Sequence, residues 1–336
     1  MVGRVLAAGI IGTLTFGASL QVWAQNADAD FFRGRTITYI VATDPGGGYD
    51  TYGRLIARNM AKYLPDTRII VRNIPGAGNI IGANSIYVAR PDGLTFGTFN
   101  TGLLYSQMLE MEGIRFDLNE MSWIGKAADE GRTLVLANNS GFTRIEDLMT
   151  VEETARLASS GIGAASHIET RMLQEMLGLN VRLITNITGG DTQLSMLRGE
   201  VVGALEAASS NADFVANGNG RYALAIAGEH SGVSGVPQAR NFVTDPDNLR
   251  LLDLVELIAE VGRPTAGPPG IPPGRLEVLR DAYMKAAKDP DLLAQAETLK
   301  IPIQPARGDE VAAKVSMILN QPQAVIDTLR RAAQPE

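Results

Sequence analysis

Four times along this chain of 336 residues, a strand-like apolar run stops at a turn rich in glycine or hydroxyl residues and gives way at once to a helix-like run. The turns are TDPGGGYD (43–50), PGAG (75–78), SSGIGAAS (159–166) and TGGDT (188–192). Strand, turn, helix, strand in close succession demands parallel strands joined by right-handed crossovers, so the chain is confined to open α/β sheets. In such sheets the turns at the strand ends form the crevice where ligands sit.

Two such units are predicted. In the first, RTITYIVAT from Arg35 is a strand and TYGRLIARNMAKYL from Thr51 an amphipathic helix, with Leu55, Ile56, Met60 and Leu64 on its inner side. TRIIVRNI, the helix after PGAG and the strand ending LTFGTFN complete it. In the second, RTLVLAN (132–138), ARLASSG, NVRLITNI, VVGALEA and YALAIAG alternate with helical runs, SHIETRMLQEML being the clearest. Five prolines from Pro264 to Pro273 predict a stiff connector. A helix from near Pro273, a strand at IPIQPA and a helix at GDEVAAKVSMILNQ follow, expected to pack back on one of the two units.

Composition removes several classes of function. A formal charge of −7, with no dense Lys/Arg block, argues against nucleic acid or an anionic membrane surface as partner. The chain has no cysteine and only two histidines, so disulfides, thiolate chemistry and a histidine-rich metal centre are not expected. No cofactor is expected, and a monomer is. Residues 1–24 carry Arg4, a small-residue apolar run, and Val22 and Ala24 ahead of a cut before Gln25, the pattern of a secretory signal.

The glycine turns invite a nucleotide reading, which fails on spacing. GxGxxG is absent, the second strand ends in Arg72, Asn73 and Ile74 without an acid, and no GKS or GKT follows a glycine loop. What remains is a small anion held by backbone N–H groups, because glycine lets a ligand approach the chain and a helix start adds unpaired donors and a favourable dipole. Ser159, Ser160 and His167 raise the alternative of an exported hydrolase, but no GxSxG elbow accompanies them. Glu110, Glu112 and Asp117 read as a solvated acidic face.

The ordered set PGGGYDTYGRLIARNMAKYL, VRNIPGAGNIIGANSIYVARPDGLTF, ASSGIGAASH and AYMKAAKDPDLLAQAETLKIPI resembles the periplasmic receptors of tripartite tricarboxylate transporters, the TctC or Bug family, from about Arg35 to Leu329. The resemblance implies an α/β, two-domain periplasmic binding protein fold of type 2 with a cleft between the domains. Residues 30–130 and 258–336 would form domain 1, and 131–257 domain 2. It implies a small organic acid as ligand, whether di-, tri- or aromatic carboxylate, delivered to membrane permease subunits from the periplasm; a signalling receptor that contacts a sensor would use the same cleft. Carried over residue by residue, the ligand-binding positions are Gly46, Gly47, Gly48 and Asp50 in the first turn and Gly76 and Ala77 in the second. Across the cleft they are Ser159, Ser160, Gly161, Ala164 and His167. Asp50 is expected to cap its helix, since directly against a carboxylate it would repel it. Ala164 stands where the family commonly has serine, a hydroxyl that Ser160 or Ser166 can replace. The turn at Thr188, Gly190, Asp191 and Thr192 departs furthest from the family pattern, lacking its proline and lysine, so it bears on ligand class.

Overall fold

The structure, a computed structural model, describes residues 27–227, 233 and 235–333. The secretory signal expected at 1–24 lies outside the described residues. After a short helix α1 (27–32), the first unit runs β1 (Thr36–Val41), α2 (Gly48–Met60), β2 (Arg68–Asn73), α3 (Ile80–Tyr87), β3 (Thr95–Thr98), α4 (Gly102–Met108) and β4 (Ser122–Lys126). The second runs β5 (Arg132–Ala137), α5 (Ile145–Thr150), β6 (Ala155–Ala158), α6 (Ala165–Leu177), β7 (Val181–Ile184), α7 (Gly190–Leu197), β8 (Gly203–Ala207), α8 (Ala212–Ala216), β9 (Gly220–Ala227) and α9 (Pro246–Ala259). The chain then returns through β10 (Pro264–Gly267), α10 (Pro273–Ala287), α11 (Pro290–Thr298), β11 (Ala306–Arg307), α12 (Gly308–Leu319) and α13 (Gln323–Ala333).

Two sheets result, ordered β11-β4-β10-β3-β1-β2 and β7-β6-β8-β5-β9. The glycine-turn units behave as the crossover rule demands: β1 runs parallel to β2 and β3, and β6 parallel to β7 and β8. β4 and β5 are buried along their whole length, which is why their sequences show no polar alternation.

Two expectations are corrected. The proline-rich connector begins as a strand: β10 lies between β3 and β4, antiparallel to both. Pro264 is tolerated because it opens the strand, where a missing N–H costs least, and Thr265 bonds Tyr39 across the sheet at 2.7 Å. The strand expected over IPIQPA shrinks to the two residues of β11, because Pro302 and Pro305 have no N–H to give a ladder.

Two chain crossings join the sheets, and they run side by side. The Ala127 N–H donates to Arg263 O at 3.0 Å, the Arg263 N–H to Ala128 O at 3.1 Å, and the Glu130 N–H to Ala259 O at 2.9 Å. α4 also packs against α6, so one apolar cluster, from Leu103 and Leu104 to Ile168 and Leu173, continues from the first unit into the second. At the end of the chain α12 covers β4, while α13 crosses over and packs on α6 and α9 of the second unit.

Candidate functional site

The turns meet across a cavity of about 490 Å³ between the sheets, a size suited to a small metabolite. The three glycines of the first turn bring backbone close to two neighbours. α2 starts at Gly48 with Gly47 as its N-cap, and no side chain takes up the cap position. A Cβ on Gly48 would sit 2.6 Å from Arg263 Nη2 and 2.8 Å from Ser210 Oγ, so only glycine lets the arginine lie across the helix start. Gly47 faces Gly189 of the opposite turn, where an added Cβ would be 3.3 Å from its Cα. The Thr188 hydroxyl donates to Asp44 Oδ2 at 2.8 Å, which ties the two turns together across the cavity mouth.

Buried charges form the floor. Arg263 is 2% exposed; its Nε lies 2.5 Å from Glu130 Oε1, and Nη2 donates to Ser209 Oγ at 3.1 Å and Ser210 Oγ at 3.3 Å. Its guanidinium rests over the rings of Tyr49 and Tyr52 at 4.4 and 5.0 Å. The Tyr49 hydroxyl donates to Glu130 Oε2 at 3.2 Å, and burial pushes the Tyr52 hydroxyl up to about 12, so Tyr52 stays a neutral donor, here to Pro302 O. Arg263 therefore belongs to one crossing of the chain, Glu130 to the other, and the serines to the second unit: the charge pair sits at the pivot of the cleft.

Arg132, at the start of β5, is 5% exposed and donates from Nε to Glu169 Oε2 at 2.6 Å, with the Tyr105 hydroxyl 3.3 Å from Glu169 Oε1. Burial works against the guanidinium charge, but Glu169 and Glu130 outweigh it and hold Arg132 above its ordinary range. Glu169 is raised, burial prevailing over Arg132. Arg132 also lines the cavity, and its Nη2 is buried with no partner among the described residues. Arg132 thus brings a guanidinium charge to the cavity wall, where a carboxylate is its natural counterpart. Glu206, half-buried on the same wall, accepts from Thr192 Oγ1 at 3.2 Å and Asn211 Nδ2 at 3.0 Å; burial raises it above the ordinary carboxylate range.

The residues singled out in the sequence divide between the wall and its support. Gly46, Gly47, Gly48, Gly76, Ala77, Ser160, Thr188 and Gly190 line the cavity. Asp50, Ser159, Gly161, Ala164, His167, Asp191 and Thr192 are not among its lining residues. Asp50 does not occupy the N-cap; it is the third helical residue, and its carboxylate accepts from the Gly46 N–H, Arg54 and Asn73, bracing the glycine turn from behind. Burial pushes that carboxyl up, but these bonds prevail and leave it below the usual range. Ala164 is fully buried at the start of α6, and the hydroxyl of that turn comes from Ser166, which accepts the Ser160 N–H at 3.0 Å.

His167 faces a separate groove beside Thr154, Arg171 and Asn180, and is held below its ordinary range by burial and by Arg171. Its Nδ1 stands 3.4 Å from the oxygen of Ser159, which is itself buried, and no carboxylate bonds the imidazole among the described residues. That is not a nucleophile and its base. Nor do the described residues contain a His/Asp/Glu group able to hold a metal ion.

Sequence reasoning missed Glu130, Arg132, Glu169, Glu206 and Arg263. The signal was present in two of them: an arginine opens RTLVLA and a carboxylate interrupts VVGALEA, charges inside runs otherwise apolar enough to be buried.

Similarity to known proteins agrees with this geometry. Residues 53–304 match the family described as the tripartite tricarboxylate transporter family receptor, TctC. A UPF0065 protein from the TAR-I ttuE-ttuC' intergenic region of Agrobacterium vitis is 26% identical over 188 residues, which are 55% of this chain and 54% of that protein. The chain thus spans about half the length of that curated relative. The periplasmic binding protein BugD superposes with a TM-score of 0.75 at 20% identity, over 89% of this chain and 97% of its own. MatC from Rhodopseudomonas palustris, solved with bound malate, superposes with a TM-score of 0.71 at 20% identity, over 89% and 99%. These likenesses establish the fold: two mixed sheets flanked by helices around a cleft, the type II periplasmic binding protein architecture. With the family match covering most of its length, the chain belongs to the TctC family of tripartite tricarboxylate transporter receptors.

Proposed function

We propose that this TctC-family protein is the periplasmic solute-binding receptor of a tripartite transporter, which holds one small organic carboxylate in the cleft and presents it to the membrane permease. The observation that carries the reading is a cavity lined at once by the Arg132 side chain, the start of α2 and the turn at Gly76. A carboxylate accepts from a guanidinium and from helix-start N–H groups at the same time, and gains from both the charge and the helix dipole. Family membership and the malate held by MatC support the ligand class. Ser160, Gly76, Ala77 and Thr188 then act as wall donors, while Asp50, Ser159, Gly161, Ala164 and His167 hold the turns in place.

Isothermal titration calorimetry with di-, tri-, hydroxy- and aromatic acids tests this. The expected result is one site per chain for at least one carboxylate, with a dissociation constant of about 1 μM or lower and no product released. Folded protein that gives no heat with any carboxylate, or that turns its ligand over, contradicts the reading.

A further inference from the structure

The charges lining the cavity do not balance, and the imbalance has a location. Arg263 is neutralised by Glu130, and Arg132 by Glu169 just behind the wall. At the rim Asp213 pairs with Lys300. Two lining carboxylates hydrogen-bond to neutral partners only: Asp44, which accepts from the Thr188 hydroxyl, and Glu206, which accepts from the Thr192 hydroxyl and the Asn211 amide. Glu206 stands on β8 opposite Thr133, one position from the residue that faces Arg132 across the ladder. Arg132 and Glu206 thus line the same cavity from adjoining strands.

A dicarboxylate placed here would satisfy Arg132 and bring a second negative charge toward Glu206, which costs affinity in a half-buried site. A protonated amine would do the reverse: it supplies the missing positive charge and donates to carboxylate oxygens that each hold one hydrogen bond. Resting on the receptor reading above, we infer that the cleft selects an amino carboxylate, with Arg132 and the helix starts taking the carboxylate and Glu206 taking the ammonium group. Glu206 is then the specificity-determining residue, and it acts against plain dicarboxylates as well as for the amine.

Calorimetry of the whole chain with matched probes decides it: glutarate against 4-aminobutanoate and 4-hydroxybutanoate, and methylmalonate against alanine and lactate. In at least one set the amino carboxylate is expected to bind about 10-fold or more tightly than both its dicarboxylate and its hydroxy counterpart. Glu206→Gln is expected to remove that preference and to improve dicarboxylate binding. If in both sets the dicarboxylate or the hydroxy acid binds wild type as tightly as the matched amine, the inference is overturned and the receptor reading stands. The same holds for a folded Glu206→Gln protein that keeps the preference. If no carboxylate of any kind binds, the receptor reading fails and the inference with it. The wild-type comparison stands even if the variant does not fold.

Discussion

Glu206 is placed where stability alone would not put it. Its carboxyl is raised above the ordinary glutamate range because burial penalises the charged form more than Asn211, Arg132 and Thr192 favour it. A carboxyl raised on folding makes its best contribution while protonated: the folded state is favoured fully below the unfolded value of about 4.3, and that advantage is lost as pH rises through the folded value. At neutral pH the carboxyl therefore weakens the ligand-free fold. Glu206→Gln is expected to raise the melting temperature of ligand-free protein at pH 7 by about 2–4 °C, and the gain should vanish near pH 4. The Thr192 hydroxyl can rotate to accept from the new amide, so the packing survives. Thermal scans across pH check this; a variant less stable than wild type at pH 7 would mean that Glu206 holds the wall together. Arg132 has the opposite character, since its charge is answered by Glu169 and what it lacks is a partner for one N–H.

At the scale of elements, the crossings between the units set the limits of the cleft. Gly262 precedes Arg263 with a φ of +49°, and a Cβ there would lie 1.4 Å from the carbonyl oxygen of Ala128 on the neighbouring crossing. No rotamer relieves a clash of Cβ with backbone, and the left-handed conformation adds strain. Gly262→Ala should cost on the order of 3 kcal/mol or more in urea unfolding and shift Arg263 off the two serines. A variant that unfolds at the wild-type midpoint contradicts the tight crossing. The glycine of VGRPTAG carried no warning of this in the sequence, since its neighbour on the other crossing is more than a hundred residues away. β10 was hidden for a related reason. PTAG reads as a turn by composition, and only pairing to β3 and β4, both distant in sequence, makes it a strand. By contrast β1, α2, β2 and α6 announce themselves through local periodicity and the glycine turns that join them. The site followed the same division: turns that belong to short strand-helix units were legible, whereas Glu130 with Arg132, Glu206 and Arg263 come from three separate segments that only the fold assembles.

The whole molecule combines a packed side and an open side. α4 against α6, and α13 laid over α6 and α9, fasten the units by apolar contact, while the links across the cavity rim are polar and partly exposed, the Thr188–Asp44 hydrogen bond and the Lys300–Asp213 ion pair among them. Apolar packing resists rearrangement far more than a few partly exposed polar bonds do. Opening should therefore occur at the turns and pivot near Arg263 and Glu130, which admits a ligand while leaving the shared core intact. If this cavity holds one small carboxylate, protein purified without added ligand from the periplasm of its own host carries it. Mass spectrometry, first of the intact protein and then after release of what it carries, should find one small molecule per chain, bearing a carboxylate and an amine. A released compound that has no carboxylate, or a nucleotide, would contradict this reading.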